Sequence, residues 1–342
     1  MMLAALLATV SVVFPPEGAK LPNLSRCYVM GAADCGEEAL VISGLTARVS
    51  SPVPVSRSGA WATVIDVVPG TNVVEIGDAR RTFVVESLES LGSLGSLGSK
   101  EAKGSKGEKG EKGSLGAKGS KEAKGAKGAD EKRVYKKLEY AADKPKPHPT
   151  GKKPGEITVV LDAGHGGGDM GAMSPHGLPE KDANLRLAKA VRDELVKRGY
   201  KVVMTREDDT FVALYDRPKV AHAAQADLFV SIHHNAPGYS TNPLEMRYQA
   251  VYAWNPLGER LAKAINASMA AADSTLRNEG ILHANFAVTR NPEIPSCLIE
   301  ADFITHPDGE CAAWDASRRP RLATAIVDGI AAWAGLRDTA QN

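Results

Sequence analysis

"ITVVLDAGHGGGDM", residues 157–170, decides how the rest of the chain is read. A continuous apolar run is what a strand covered on both faces requires. This one ends at once in a glycine-rich loop that carries a single imidazole, His165. Either the glycines make a turn in which His165 bonds to backbone, or the loop presents the imidazole to a metal or an anion. Downstream, "EKDANLRLAKAVRDELVKRG" (180–199) sets Ala188, Val191 and Leu195 at helical spacing and stops at Gly199. "YKVVMTR" (200–206) reads as strand, "VALYDRPKVAHAA" (212–224) as helix and "ADLFVSIHHN" (226–235) as strand. "MRYQAVYAW" (246–254) is a further strand, followed by the helix "PLGERLAKAINASMAAA" (256–272), opened by Pro256. "IPSCLIEADF" (294–303) and the amphipathic "RPRLATAIVDGIAAWAGL" (319–336) close the series as strand and helix. Strands alternating with helices predict an α/β domain over 155–342, with a mostly parallel twisted sheet and helices on both faces. In such sheets the working site lies beyond the carboxyl ends of the strands.

The remainder of the 342-residue chain has a different character, and its length suits two domains and a connector. Residues 12–87 hold short β-branched runs such as "WATVIDVVPG", "NVVEIG" and "RTFVVE", bounded by turn residues. They predict a small all-β, sandwich-like unit with Trp61 as a core anchor, and the pattern of "VISGL" followed by "SGAWATVIDVVPGTNVVEI" resembles bacterial immunoglobulin-like accessory domains. The apolar opening, "MMLAALLATVSVVF", is too short to span a bilayer and suits a signal peptide over residues 1–11, cleaved near Ser11. A buried first strand is the other reading of that segment. Export to the periplasm or cell envelope is therefore expected, and a Cys27–Cys35 disulfide would persist only there. No later run is long enough for a membrane span. From Gly92 to Gly128 glycine recurs at every third position, except where Glu101 and Glu122 intervene. The run lacks proline and reads as a disordered linker over 88–154, not as a collagen triple helix. Its nine lysines against four glutamates between Lys100 and Gly128 favour contact with an anionic envelope surface. A formal net charge of +1 argues against a nucleic-acid partner.

The strand-end rule gathers four side chains from four segments. His165 follows the first strand, His233 ends "DLFVSIHH", Glu300 ends "CLIE", and Glu180 opens the first helix on the same rim. Imidazole and carboxylate together suit zinc, whose catalytic sites keep three protein ligands and one open position, and a nearby glutamate can then move protons. Each residue also has an ordinary reading: His165 as a turn residue, Glu180 as a carboxylate favoured by a helix N-terminus, and Glu300 as the buried partner of Arg206.

"VVLDAGHGGGDMGA", "EKDANLRLAKAV", "GYKVVMTREDD", "LFVSIHHNA" and "PSCLIEADFITHPDGE" resemble, in order and spacing, the zinc-dependent N-acetylmuramoyl-L-alanine amidases of the type 3 family, over residues 157 to about 335. The resemblance implies peptidoglycan as substrate and hydrolysis of the amide between the lactyl group of N-acetylmuramic acid and L-alanine. It implies Zn2+ as cofactor, with His165, Glu180 and His233 as the metal ligands and Glu300 as the catalytic glutamate. Arg206 and Arg217 match family arginines, with structural ion pairs the expected role, and Asn235 is a candidate for peptide contact or ligand orientation. The chain departs from the family pattern at "HHNA", where alternation along a strand lets only one of His233 and His234 reach the metal. It departs again at Asp302, an acid at a position where relatives commonly carry glycine, which could crowd the site or bind substrate amines. The stretch after "HHNA" has no room for an inserted blocking helix, so an ungated site is expected. The open glycines after His165 would let a bulky glycopeptide approach. A monomer is expected. A zinc peptidase acting within the stem peptide, or a non-catalytic wall-binding protein, are the competing readings.

Overall fold

The computed structural model describes residues 10–34, 39–44, 52–77, 79–87, 136–137 and 151–335. Most of 88–150, Cys35 and residues 1–9 lie outside them, so most of the linker and leader readings and the Cys27–Cys35 bridge lie outside the described residues.

The N-terminal unit is two facing sheets. β1 (Val10–Phe14), β3 (Arg26–Ala33) and β7 (Ala60–Asp66) form one, in the order β1-β3-β7. β2 (Lys20–Leu21), β9 (Ala79–Val85), β8 (Gly70–Ile76) and β5 (Ile42–Gly44) form the other, while β4 (Ala39–Leu40) pairs with β6 (Val53–Pro54). Trp61, Val29 and Ile65 from the first sheet meet Phe83, Val74 and Ile76 from the second, so Trp61 is a core residue as its sequence suggested. β1 begins at Val10, and Val10 and Ser11 pair with Ala33 and Ala32. Cleavage near Ser11 would remove the first two residues of that ladder. β3 gave no alternating signal because both of its faces are buried. Cys27 and Val29 enter the sandwich core, while Tyr28 and Met30 pack with Ala62 and with Leu244 of the second domain. Further joints between the domains are the Tyr28 amide donating to the Tyr239 carbonyl (2.7 Å) and the Phe14–Tyr239 ring stack (6.0 Å).

The second domain is a seven-stranded sheet. Its strands are β10 (Lys136–Lys137), β11 (Thr158–Ala163), β12 (Lys201–Met204), β13 (Leu228–Asn235), β14 (Gln249–Ala253), β15 (Asn278–His283) and β16 (Ser296–Phe303), in the order β10-β15-β14-β16-β13-β11-β12. β12, β11, β13 and β16 run parallel, but β14 is antiparallel to β16 and β15 runs with β14. The sheet is therefore mixed: the four motif-bearing strands share one direction, and β14 and β15, parallel to each other, run the opposite way. The reason is local: residues 236–248 hold one 3-10 turn (Pro243–Glu245) and no crossover helix, so the chain turns back at the same rim.

Three helices cover one face: α1 (Glu180–Lys197), α3 (Pro256–Ala272) and, at the chain end, α5 (Arg318–Trp333). Val159, Leu161, Val230, Ile232, Cys297 and Ile299 meet them there. The opposite face carries Val160, Phe229, Tyr252 and Leu298 beneath the short helix α2 (Arg217–Ala223) and the 284–294 loop. α2 starts five residues later than the sequence suggested. Pro218 sits in its first turn; it has no amide to donate to the carbonyl four residues earlier and is tolerated only near a helix start, so 212–216 stay outside the helix. The helix α4 (Pro307–Trp314) and strand β15 had no recognised signal.

Close helix packing sets one stability prediction. A Cβ added at Gly329 of α5 would lie 2.4 Å from the Ile265 Cα of α3. Glycine-to-alanine in a helix interior normally gains up to about 1 kcal/mol. Forced overpacking against backbone costs about 1–3 kcal/mol, so Gly329→Ala is expected to destabilise the protein. Denaturant unfolding checks this; an unchanged or raised midpoint would show that α3 and α5 separate freely.

Candidate metal centre

The fold brings His165, Glu180 and His233 together. One ligand-capable atom from each lies within 4.8 Å of the others. His165 Nε2 is 3.2 Å from Glu180 Oε2, and His233 Nδ1 is 3.0 Å from Glu180 Oε1. These separations are of the order of the roughly 3.3 Å edge expected of a tetrahedron with zinc–ligand bonds near 2.0 Å. Two imidazoles and one carboxylate, with His165 and His233 partly open to solvent, form a donor set that fits a divalent ion with one position free.

Each side chain is placed by its element. Glu180 is in the first turn of α1, where a carboxylate complements the helix dipole. It is buried, and it accepts hydrogen bonds from the Ala172 amide (2.9 Å), the His234 amide (3.2 Å) and Asn184 Nδ2 (3.0 Å). Burial alone would raise its pKa, but the two imidazoles outweigh that and hold the carboxylate well below its usual range. Burial likewise works against protonated His165, yet Glu180 and Asp169 lift it to about 9. His165 has φ +61°, a left-handed conformation uncommon outside glycine, and Asp169 Oδ2 approaches its Nδ1 at 2.9 Å. A carboxylate behind a ligating histidine fixes its ring and raises its basicity. Gly164 is required by contact, because a Cβ there would lie 2.2 Å from the His233 ring.

Strand alternation separates the paired histidines as expected. His233 shares a face with Phe229 and Ser231 on the thinly covered side. His234 turns to the helical side, buried, with its Nδ1 2.8 Å from Asn184 Oδ1, and burial drives its pKa down to about 4. Glu300 lies directly across from His233 in the β13–β16 register. Burial, and then the negative charge of Glu180, push its pKa well above the ordinary carboxyl value. Its Oε2 is buried with no hydrogen-bond partner, an arrangement that structural carboxyls avoid.

Arg206 does not pair with Glu300. Its guanidinium donates to four backbone carbonyls: Ala163, Gly164, Lys181 and Asp208. Arg217 pairs with buried Asp162 (2.8 Å) and also donates to the carbonyls of Ala163, His165 and Val212. Both arginines therefore hold the His165 loop from beneath. Asn235 accepts from the Ala236 amide (2.8 Å) and pairs with Phe303 on β16. Asp302 neither crowds the site nor awaits a substrate amine, because it is fully buried in a bidentate pair with Arg247 (3.0 Å) and is 3.3 Å from Arg318. Nor do the first glycines after His165 stand open. A Cβ at Gly166 would lie 2.3 Å from the Thr210 carbonyl oxygen, one at Gly167 would lie 2.9 Å from Phe211, and only Gly168 faces free space. Their smallness lets the 208–216 loop lie against the His165 loop. Two positioning residues, Asp169 and Asn184, had a signal that went unread: each lies four residues after the ligand candidate it touches. Between β13 and β14 the described residues hold one short 3-10 turn, Pro243–Glu245, and no α-helix.

The N-acetylmuramoyl-L-alanine amidase family model matches residues 159–332, just over half of the chain. YqiI, an uncharacterised protein of Bacillus subtilis, is 39% identical over 173 residues, spanning 51% of this chain and 82% of that protein. The N-acetylmuramoyl-L-alanine amidase AmiA of Escherichia coli is 34% identical over 221 residues, spanning 52% of this chain and 76% of AmiA. Among solved structures, the amidase AmiC2 of Nostoc punctiforme is 34% identical, with 52% and 96% of the two chains covered and a TM-score of 0.49. The matched segment contains every residue of the centre described above, and the chain belongs to the N-acetylmuramoyl-L-alanine amidase family.

Proposed function

We propose that the second domain is a zinc-dependent hydrolase that cuts the amide between the lactyl group of N-acetylmuramic acid and L-alanine in peptidoglycan. The observation that carries this reading is the convergence of His165, Glu180 and His233 within 4.8 Å, with Glu300 in register opposite His233, in a domain of this family. When bound, zinc supplies Lewis acidity toward a carbonyl oxygen and lowers the pKa of water to near neutrality. His165, Glu180 and His233 would hold it, with Asp169 fixing the His165 ring and Asn184 the Glu180 carboxylate. Glu300 takes a proton from the attacking water as the C–O bond forms, and delivers it to the L-alanine nitrogen as the C–N bond breaks. The substrate places the enzyme outside the cytoplasmic membrane, in the periplasm or cell envelope; no helix among the described residues is long and apolar enough to cross a membrane. The β unit is read as an immunoglobulin-like accessory module, and the lysines of 100–128 as charge for an anionic envelope surface.

Purified protein incubated with peptidoglycan should release stem peptides that begin with L-alanine, identified by mass spectrometry. Chelation should stop the release and added zinc should restore it. Shortened stems still attached to muramic acid would make it a peptidase instead, and binding without any product would leave a wall-binding protein.

A further inference from the structure

We infer that the exposed apolar ledge formed by Phe211, Leu214 and Tyr215 is the subsite for the sugar rings of the substrate, so that glycan lies on the His165 side of the centre and stem peptide on the Glu300 side. The inference rests on the hydrolase reading above and specifies how its substrate lies.

The three side chains fall within five residues and are 58%, 55% and 66% exposed. Single exposed apolar residues need no explanation, but three within five residues, on a loop tied to the His165 loop, do. Polar groups, among them the buried Arg217 and Lys181, hold them there. Arg217 donates from one nitrogen to both the His165 carbonyl (2.8 Å) and the Val212 carbonyl (3.0 Å). Asp209 accepts from the Gly167 amide (2.9 Å) and from Lys181 (2.7 Å). The Phe211 backbone lies so near Gly167 that a methyl group there would not fit. The ledge is thus fastened to the loop that carries His165, and a preordered surface binds without the cost of ordering it.

Direction follows from the sheet order. Glu300 stands on β16, His233 on the neighbouring β13, and His165 just past β11 on the far side of β13. A nitrogen that receives a proton from Glu300 must lie within hydrogen-bond reach of it, hence over β16. The other substituent of the same carbonyl carbon, the lactyl ether with its sugar, then extends toward β11 and the ledge. A pyranose ring with equatorial substituents presents an apolar C–H face, which suits an aromatic ring lying beneath it, and a tyrosine adds a hydroxyl at the rim.

The test uses peptide-free glycan strands of alternating N-acetylglucosamine and N-acetylmuramic acid, titrated calorimetrically into the full chain. With no scissile amide present, binding is read independently of hydrolysis. The Phe211→Ala/Tyr215→Ala double variant should bind them about tenfold more weakly than the parent. Val196→Ala, which removes an exposed apolar side chain from α1, should bind as the parent does. The double variant should also raise KM for intact glycopeptides by a larger factor than for a lactyl-L-alanyl peptide without sugar. Equal glycan binding by parent and double variant would overturn the inference. So would a variant that loses affinity for free stem peptide instead, since that reverses the orientation. Failure of the hydrolase reading itself would appear separately, in the products released from peptidoglycan.

Discussion

Glu300→Gln is expected to lower kcat by about 10²–10⁴-fold while the protein retains its zinc. The two halves of that outcome come from different observations. Zinc is retained because the cluster able to hold a metal, among the described residues, is His165, Glu180 and His233, and Glu300 is not in it. Turnover is lost because glutamine keeps the shape of the side chain but cannot accept a proton. The buried, unpartnered Oε2 and the position across from His233 leave Glu300 without a structural task that would explain it. Glutamine removes the acid whose charged form is opposed by burial and by Glu180, so the substitution should leave the unfolding midpoint unchanged or raise it. Because a proton-transfer group acts mainly in the transition state, kcat and kcat/KM should fall together. Steady-state rates on peptidoglycan fragments and metal analysis of the same samples decide the matter. A variant with nearly the parent kcat would remove Glu300 from the proton path, and one depleted of zinc would make it a ligand.

How much of this was readable beforehand depends on whether a feature is fixed locally or by tertiary approach. β11, α1 and α3 were legible because each carries its own signal: an unbroken apolar run, a helical stripe ending at Gly199, and a start at Pro256. The grouping of His165, Glu180, His233 and Glu300 on one rim followed from strand direction; alternation allowed only one of His233 and His234 to reach it, and the family resemblance favoured His233. Other features depend on what approaches. β3 showed no alternation because a second domain covers its outer face. Asp302 looked like an acid in the site, but Arg247, fifty-five residues earlier, and Arg318 neutralise it. The glycines after His165 looked like clearance for a substrate, but their space is taken by Thr210 and Phe211. The helix expected from 212 starts instead at Arg217, because Pro218 fits only a first turn, and Leu214 and Tyr215 stay outside it, exposed.

The second large effect is expected at Arg217, where stability and metal affinity should come apart. Arg217 and Asp162 are nearly or wholly excluded from solvent, at 5% and 0% side-chain exposure. Arg217→Met leaves the Asp162 carboxylate without its cation, with only the Thr205 and Ser231 hydroxyls still donating to it. Breaking a buried pair in this way costs about 3–5 kcal/mol. Replacing both partners with apolar groups is often close to neutral, so Arg217→Met/Asp162→Leu should recover much of that loss in denaturant unfolding of the zinc-free protein. Zinc affinity should not recover with it. In the double variant the carbonyls of His165 and Val212 still lack their donor, so nothing ties the left-handed His165 loop to the 208–216 loop at that point. Loss of groups that orient a ligand typically weakens metal binding by about 10–100-fold, and calorimetric zinc titration of the double variant should show a loss of that size. A double variant that binds zinc as tightly as the parent would mean that Gly164, Asp169 and Arg206 position His165 without Arg217. The arginine would then be a stability element alone.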